Sequence, residues 1–237
     1  RVWDAWGKNA KTGESEPTKF YYFKTNLYSR ETTVPDEDIK KILQEIKSIK
    51  PKPKKKVKHK TVMILGLADW QIGKPNTEKA VNEYFKSIYA VLEDLKNLRK
   101  KYTIEKLVVC GMGDLLENCS NNFSPTGLFE QEYDNRTQMK IARRMLVKTI
   151  KILTPHFTDI TVMCCMGNHG QKRQGKGNFE TTYGDNLDAE LFDNVSEIFQ
   201  DAPAYKHIKW IIPENDLTLS VQVMPNTVLT IHHGHSA

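Results

Sequence analysis

From Thr61 onward, runs of apolar and β-branched residues alternate with long segments of helical periodicity, and this alternation limits the fold more than any other feature. The segments "TVMILGLA" (61–68), "EKLVVCGMG" (105–113) and "DITVMCCMG" (159–167) read as strands. Between and after them, residues 77–102, 129–153 and 185–199 carry apolar side chains at helical spacing. Three shorter strands close the chain: "IKWIIPE", "TLSVQVMP" and "TVLTIHHGH". Strands joined through helices need crossover connections, so the expected class is α/β (α+β), with a sheet at least partly parallel and covered on both faces.

The N-terminal part has a different texture. "VWDAW" and "KFYYFKTNLYSR" read as aromatic strands joined by a polar, turn-rich connection. Residues 33–50 read as a helix, with Pro35 and three acids at its start and lysines at its end. Residues 47–60, "KSIKPKPKKKVKHK", hold eight lysines and no acid, and Pro51 and Pro53 exclude a continuous helix. This reads as an extended, self-repelling strap. Without those eight lysines, 27 basic residues face 29 acidic ones, so the net charge of +6 becomes −2. The expected organisation is a small β/α appendage over 1–46, a basic linker over 47–60 and a main domain over 61–237.

Four cysteines without a CxxC pair argue against a structural zinc site, and Cys110 and Cys164, at the ends of apolar runs, read as small buried apolar residues. Free thiols with no signal-peptide pattern suggest a reducing cytoplasm. No apolar run approaches the ~20 residues that a membrane-spanning helix needs.

Ligands of such sheets bind beyond the carboxyl ends of the strands, and the polar residues gather there. The first strand ends in "ADWQIGK" with Asp69 and Gln71, the second in "GMGDLLEN" with Asp114, Glu117 and Asn118. The third ends in "MGNHG" with Asn168 and His169, and the last in "HHGH" with His232, His233 and His235. Each taken singly is an ordinary cap or turn. Oxygen and imidazole ligands at four strand ends of one sheet point to a site.

The order Asp-x-(His), Gly-Asp, Gly-Asn-His and His-Gly-His resembles the calcineurin-like metallophosphoesterases, and the resemblance covers residues 61–237. It implies a two-layer β-sandwich flanked by helices, with two divalent metals at the strand ends. By this resemblance Asp69 and Gln71 would serve the first metal, Asp114 would bridge both, and Asn168 and His233 would bind the second. His169 would protonate the leaving group. Oxygen and imidazole donors suit Mn2+ first, with Mg2+, Fe or Zn2+ as alternatives. A hydroxide activated between the two ions would then attack phosphorus. Adjacent strand residues point to opposite faces, so His232 is left to packing when His233 enters the site.

Three departures stand out. Gln71 replaces the usual His, Gly170 replaces the carboxylate that orients the catalytic His, and no Gly-His-x-His motif follows. The chain runs from Arg1 to Ala237, and the expectation is a piece truncated before that last motif.

Asn118, His235 and the basic loop residues Lys172, Arg173 and Lys176 are the candidate substrate contacts. The basic strap, the basic loop and the N-terminal module favour nucleic acid as partner, hence a nuclease acting on DNA, similar to phage and prophage phosphoesterases. Such an enzyme would work in the cytoplasm of a bacterial or phage-infected cell, alone, as a homodimer or with another protein. Two alternatives stay open: a phosphatase or cyclic phosphodiesterase acting on a small molecule or phosphoprotein, and a metal-deficient module used for binding or assembly.

Overall fold

The computed structural model describes residues 2–8, 15–21, 41, 44–48, 61–119, 127–174, 178–179 and 182–235. The chain divides into two compact units, Arg1–Lys40 and Lys41–Ala237. In the first, β1 (Val2–Lys8) and β2 (Ser15–Tyr21) pair antiparallel, with Val2 opposite Tyr21 and Lys8 opposite Ser15. The second strand therefore starts inside the segment expected to be a polar connection. Most of the expected helix over 33–50, and the strap beyond residue 48, lie outside the described residues.

The unit boundary falls at 40/41 rather than 46/47. Residues 44–48 are helical, Ile46 is fully buried in the core of the second unit, and Glu45 is ion-paired to Lys151 at 2.7 Å. Burial of one isoleucine outweighs the change of composition on which the earlier boundary rested.

The second unit is mixed α/β, with a four-stranded parallel sheet and a two-stranded antiparallel one. The parallel sheet runs β3 (Thr61–Leu67), β4 (Ile104–Gly111), β5 (Asp159–Cys164) and β8 (Ile208–Ile211), in chain order. Its crossovers carry α1 (Thr77–Leu98), α2 (Asn135–Leu153) and α3 (Leu187–Gln200). The third crossover also contains the short pair β6 (Arg173–Gln174) and β7 (Asn178–Phe179). The hairpin β9 (Thr218–Met224) and β10 (Thr227–His232) forms the antiparallel sheet.

Because the sheet always steps in one direction, right-handed crossovers put every helix on the same face. The alternation along β4 and β5 shows the outcome. Leu107, Val109, Ile160 and Val162 pack with Leu146, Ile150, Phe192 and Phe199 of α2 and α3. Val108, Cys110 and Met163, one residue out of phase, pack with Val223 and Ile231 of the hairpin. Helices cover one face of the parallel sheet, as the hairpin covers the other. No described helix is long and apolar enough to cross a membrane. The four cysteines are free, and burial pushes the Cys110 thiol up to about 11, as suits packing rather than reactivity.

The helices are shorter at their ends than periodicity alone predicts. Residues 129–134 are not part of α2, because Asp134 caps it by accepting from the Thr137 N–H at 2.7 Å. The N-terminus of α1 is capped from a distance: Glu132 accepts from the N–H groups of Asn76 (2.7 Å) and Thr77 (3.1 Å).

If residue 46 belongs to the main core, Ile46→Ala should lower its stability by about 2–4 kcal/mol. Urea unfolding followed by far-UV circular dichroism would measure this, and a change below about 0.5 kcal/mol, the range of surface substitutions, would return the segment to the linker.

Candidate metal centre

At the carboxyl edge of the parallel sheet the loops continue the strand pairing instead of dispersing. Met112 N–H donates to Leu67 O at 2.7 Å, Gln71 N–H to Asp114 O at 3.0 Å and Glu117 N–H to Ile72 O at 2.9 Å. The backbone is strained there. Five described residues other than glycine have positive φ, and four of them are Asp69 (51°), Gln71 (42°), Asp114 (56°) and Asn118 (64°). Such conformations cost on the order of 1 kcal/mol each and collect where surrounding structure enforces them.

Asp188, in the first turn of α3, supplies much of that enforcement. It is 1% exposed, and its carboxylate accepts three main-chain N–H bonds: Asp114 at 3.0 Å, Leu115 at 2.9 Å and Gly167 at 3.0 Å. One side chain thus ties the loop after β4 to the loop after β5. Burial pushes its pKa up to about 6, although the three N–H groups pull the other way. Neighbouring Asn186 caps α3 through Asp188 N–H (2.8 Å) and donates to Gly167 O (2.9 Å).

Glycines permit this closeness. A Cβ on Gly113 (φ 88°) would lie 2.7 Å from both Gly167 Cα and His233 Nδ1, and one on Gly167 would overlap Asp114. A Cβ on Gly170 would collide with Asn186 and Asp188. Glycine at 170 is therefore a packing requirement.

Three expected ligands meet. His233 Nε2 lies 3.0 Å from Asn168 Oδ1 and 3.1 Å from Asp114 Oδ2. Its other nitrogen, Nδ1, lies 2.8 Å from Met112 O. A carbonyl oxygen only accepts, so Nδ1 carries the hydrogen and the Nε2 of the neutral ring offers a lone pair. With that ring neutral, three electron-pair donors come together, a set that could hold a cation. Among the described residues no group of three or more His, Cys, Asp and Glu converges; this trio depends on an asparagine.

His169 stands beside the trio. Its N–H donates to Asp114 Oδ1 at 2.8 Å, which fixes the carboxylate, and its ring Nε2 lies 3.8 Å from Asp114 Oδ2. Its Nδ1 lies 3.1 Å from Glu117 Oε2, and the side chains of both residues are largely buried. The Glu117 carboxylate holds the His169 pKa above its ordinary value, against burial. A carboxylate thus faces the His169 ring from Glu117, three residues after Asp114, and not from position 170, where the resemblance implied one.

No family model and no curated protein matches the chain.

Other expectations fare differently. The Asp69 carboxylate is exposed and makes no hydrogen bond or ion pair among the described residues, although its main-chain N–H bonds Gly113 O at 3.2 Å. The Gln71 side-chain oxygen accepts from Lys74 Nζ at 2.6 Å instead of joining the trio. Asn118, expected at the substrate, is 1% exposed and works as a brace. Its amide donates to His169 O (2.9 Å) and Gln171 O (3.0 Å), and its oxygen accepts from Asn135 at 3.0 Å. Lys172 is ion-paired with Asp185 at 2.5 Å and faces Glu190 at 3.7 Å, so its charge is already answered within the protein. His235 sits near the centre, its ring 5.4 Å from that of His233 and its Nε2 3.0 Å from Gln171 Nε2. His232 is exposed rather than packed. The side chain of Arg173, and Lys176 entirely, lie outside the described residues.

Two outcomes follow from this geometry. His169 should titrate above 6.5, and Glu117→Gln should bring it down; histidine NMR signals followed against pH would measure both. Because the folded pKa is raised, the pair stabilises the fold fully below 6.5, and that contribution fades as pH rises through the folded value. An unchanged titration in Glu117→Gln would dissolve the pair. Asp188→Ala leaves three buried N–H groups unanswered and should cost about 3 kcal/mol in thermal or urea unfolding.

Proposed function

We propose that residues 61–237 form a calcineurin-like metallophosphoesterase domain and that the protein hydrolyses phosphodiesters, with DNA as the favoured substrate. The observation that carries this reading is the approach of His233 Nε2 to both Asn168 Oδ1 (3.0 Å) and Asp114 Oδ2 (3.1 Å), beside a histidine backed by a carboxylate. Asp114, Asn168 and His233 would hold a divalent ion, and oxygen and imidazole donors favour Mn2+. Such an ion supplies Lewis acidity toward phosphate oxygens and a water nucleophile at neutral pH.

The remaining chemistry belongs to the chain. Hydrolysis joins water oxygen to phosphorus and breaks the bond to the leaving alkoxide, which needs a proton. His169 is built to deliver it: Glu117 faces Nδ1 and favours the charged ring, while Nε2 is turned toward Asp114 and the centre. Asp114 Oδ1, engaged by the His169 N–H, keeps ligand and acid in one fixed relation. DNA is favoured over a small diester by the eight lysines of residues 47–60. Lys172, paired with Asp185, is less available for that electrostatic role than the lysines of the strap would be.

The test is Mn2+-dependent cleavage of labelled single- and double-stranded DNA, with bis(p-nitrophenyl) phosphate alongside. His169→Ala should lower kcat about 10²–10⁴-fold. Cleavage of the small diester without DNA would select a phosphatase or cyclic phosphodiesterase. No turnover of either would leave a fold used for binding.

A further inference from the structure

The neighbourhood of the first sequence motif holds a cation of the protein's own. Lys74 Nζ is 2.6 Å from Gln71 Oε1 and 3.7 Å from Glu117 Oε2, the same carboxylate oxygen that faces His169. We propose that the centre takes one divalent ion, at Asp114, Asn168 and His233, and that the Lys74 ammonium supplies the positive charge a second ion would bring. This rests on the metallophosphoesterase reading given above.

The backbone prepares this placement. Residues 71–74 form a tight turn, with Lys74 N–H donating to Gln71 O at 3.1 Å and positive φ at both Gln71 and Gly73. A side chain on Gly73 would overlap buried Gln138, so the turn is pressed against α2. Ile72 bridges to Leu116 as in a parallel sheet, which sets Glu117 beside the turn. Lys74 therefore meets Gln71 and Glu117 through three anchored stretches of chain, although the side chain itself is 48% exposed.

The donors around a second metal position are correspondingly poor. Gln71 offers one amide oxygen, a weaker ligand than imidazole, and the ammonium already occupies it. The Asp69 carboxylate is exposed and joins no other donor among the described residues. A divalent ion at Gln71 would have to share that oxygen with the ammonium, against like-charge repulsion. An ammonium carries three donor hydrogens, so Lys74 can keep Gln71 and still offer hydrogens to a phosphate oxygen.

The test counts metal on the full chain. Calorimetric titration with Mn2+ and metal analysis after gel filtration should give one equivalent, and low-temperature electron paramagnetic resonance should show an isolated six-line Mn2+ signal. Asp114→Asn should abolish it. The double variant Lys74→Ala, Gln71→His should take up a second equivalent and show the spectrum of an exchange-coupled pair. Two equivalents with a coupled spectrum in the wild-type protein would overturn the proposal while leaving the metallophosphoesterase reading intact. One equivalent in the double variant would remove Lys74 as the cause. No bound Mn2+ in the wild-type protein would overturn both.

Discussion

The carboxylate of Asp188, enclosed at the start of α3 and receiving main-chain hydrogens from Asp114, Leu115 and Gly167, is the contact on which the rest of the site depends. It joins two loops that follow adjacent strands, and adjacency alone would not hold them in register once the sheet pairing ends. With the loops tied, Gly113 and Gly167 can approach to distances that no side chain would tolerate, and Asp114 is forced into a left-handed conformation. A buried carboxylate is costly to maintain, and three N–H groups are what offset that cost. The same residue helps exclude a side chain at position 170, so a change at one motif is explained by a residue eighteen positions later.

Charge in the site is shared rather than paired. Asp114 gives one oxygen to the His169 main chain and turns the other toward His233. Glu117 stands between the imidazole of His169 and the ammonium of Lys74. Lys74 accordingly opposes the rise in the His169 pKa that Glu117 causes. One glutamate thus links the His169 imidazole on one side to the Lys74 ammonium on the other.

Much of this was legible in the sequence, and the rest was hidden for identifiable reasons. The strands of the parallel sheet and the placing of Asp114 and Asn168 at its carboxyl edge follow from apolar runs ending in polar residues, whereas His233, on a separate hairpin and not on the same sheet as expected, was singled out only through the resemblance. Asp188 was invisible because an acid in the first turn of a helix is what any helix start favours. Gly170 pointed to a missing carboxylate, since sequence alone cannot show that Glu117 reaches the same imidazole. Lys172 looked available in a loop of like charges, but Asp185 and Glu190 become its neighbours only through the fold. The boundary before the basic strap was misplaced because composition changes there while burial of Ile46 does not follow composition.

The hairpin that carries His233 has a consequence for how the centre comes into being. His233 Nδ1 reaches Met112 O across 121 positions of chain, and the hairpin meets the parallel sheet through a small cluster around Val223 and Ile231. The helices and the parallel sheet, with their larger shared core, hold Asp114 and Asn168 without it. His233 thus comes to Asp114 on the smaller of the two clusters, and a cation bridging the pair would act as a rivet between hairpin and sheet. Cation binding and tertiary closure would then be one equilibrium, in which occupancy of the centre and attachment of the hairpin would rise together.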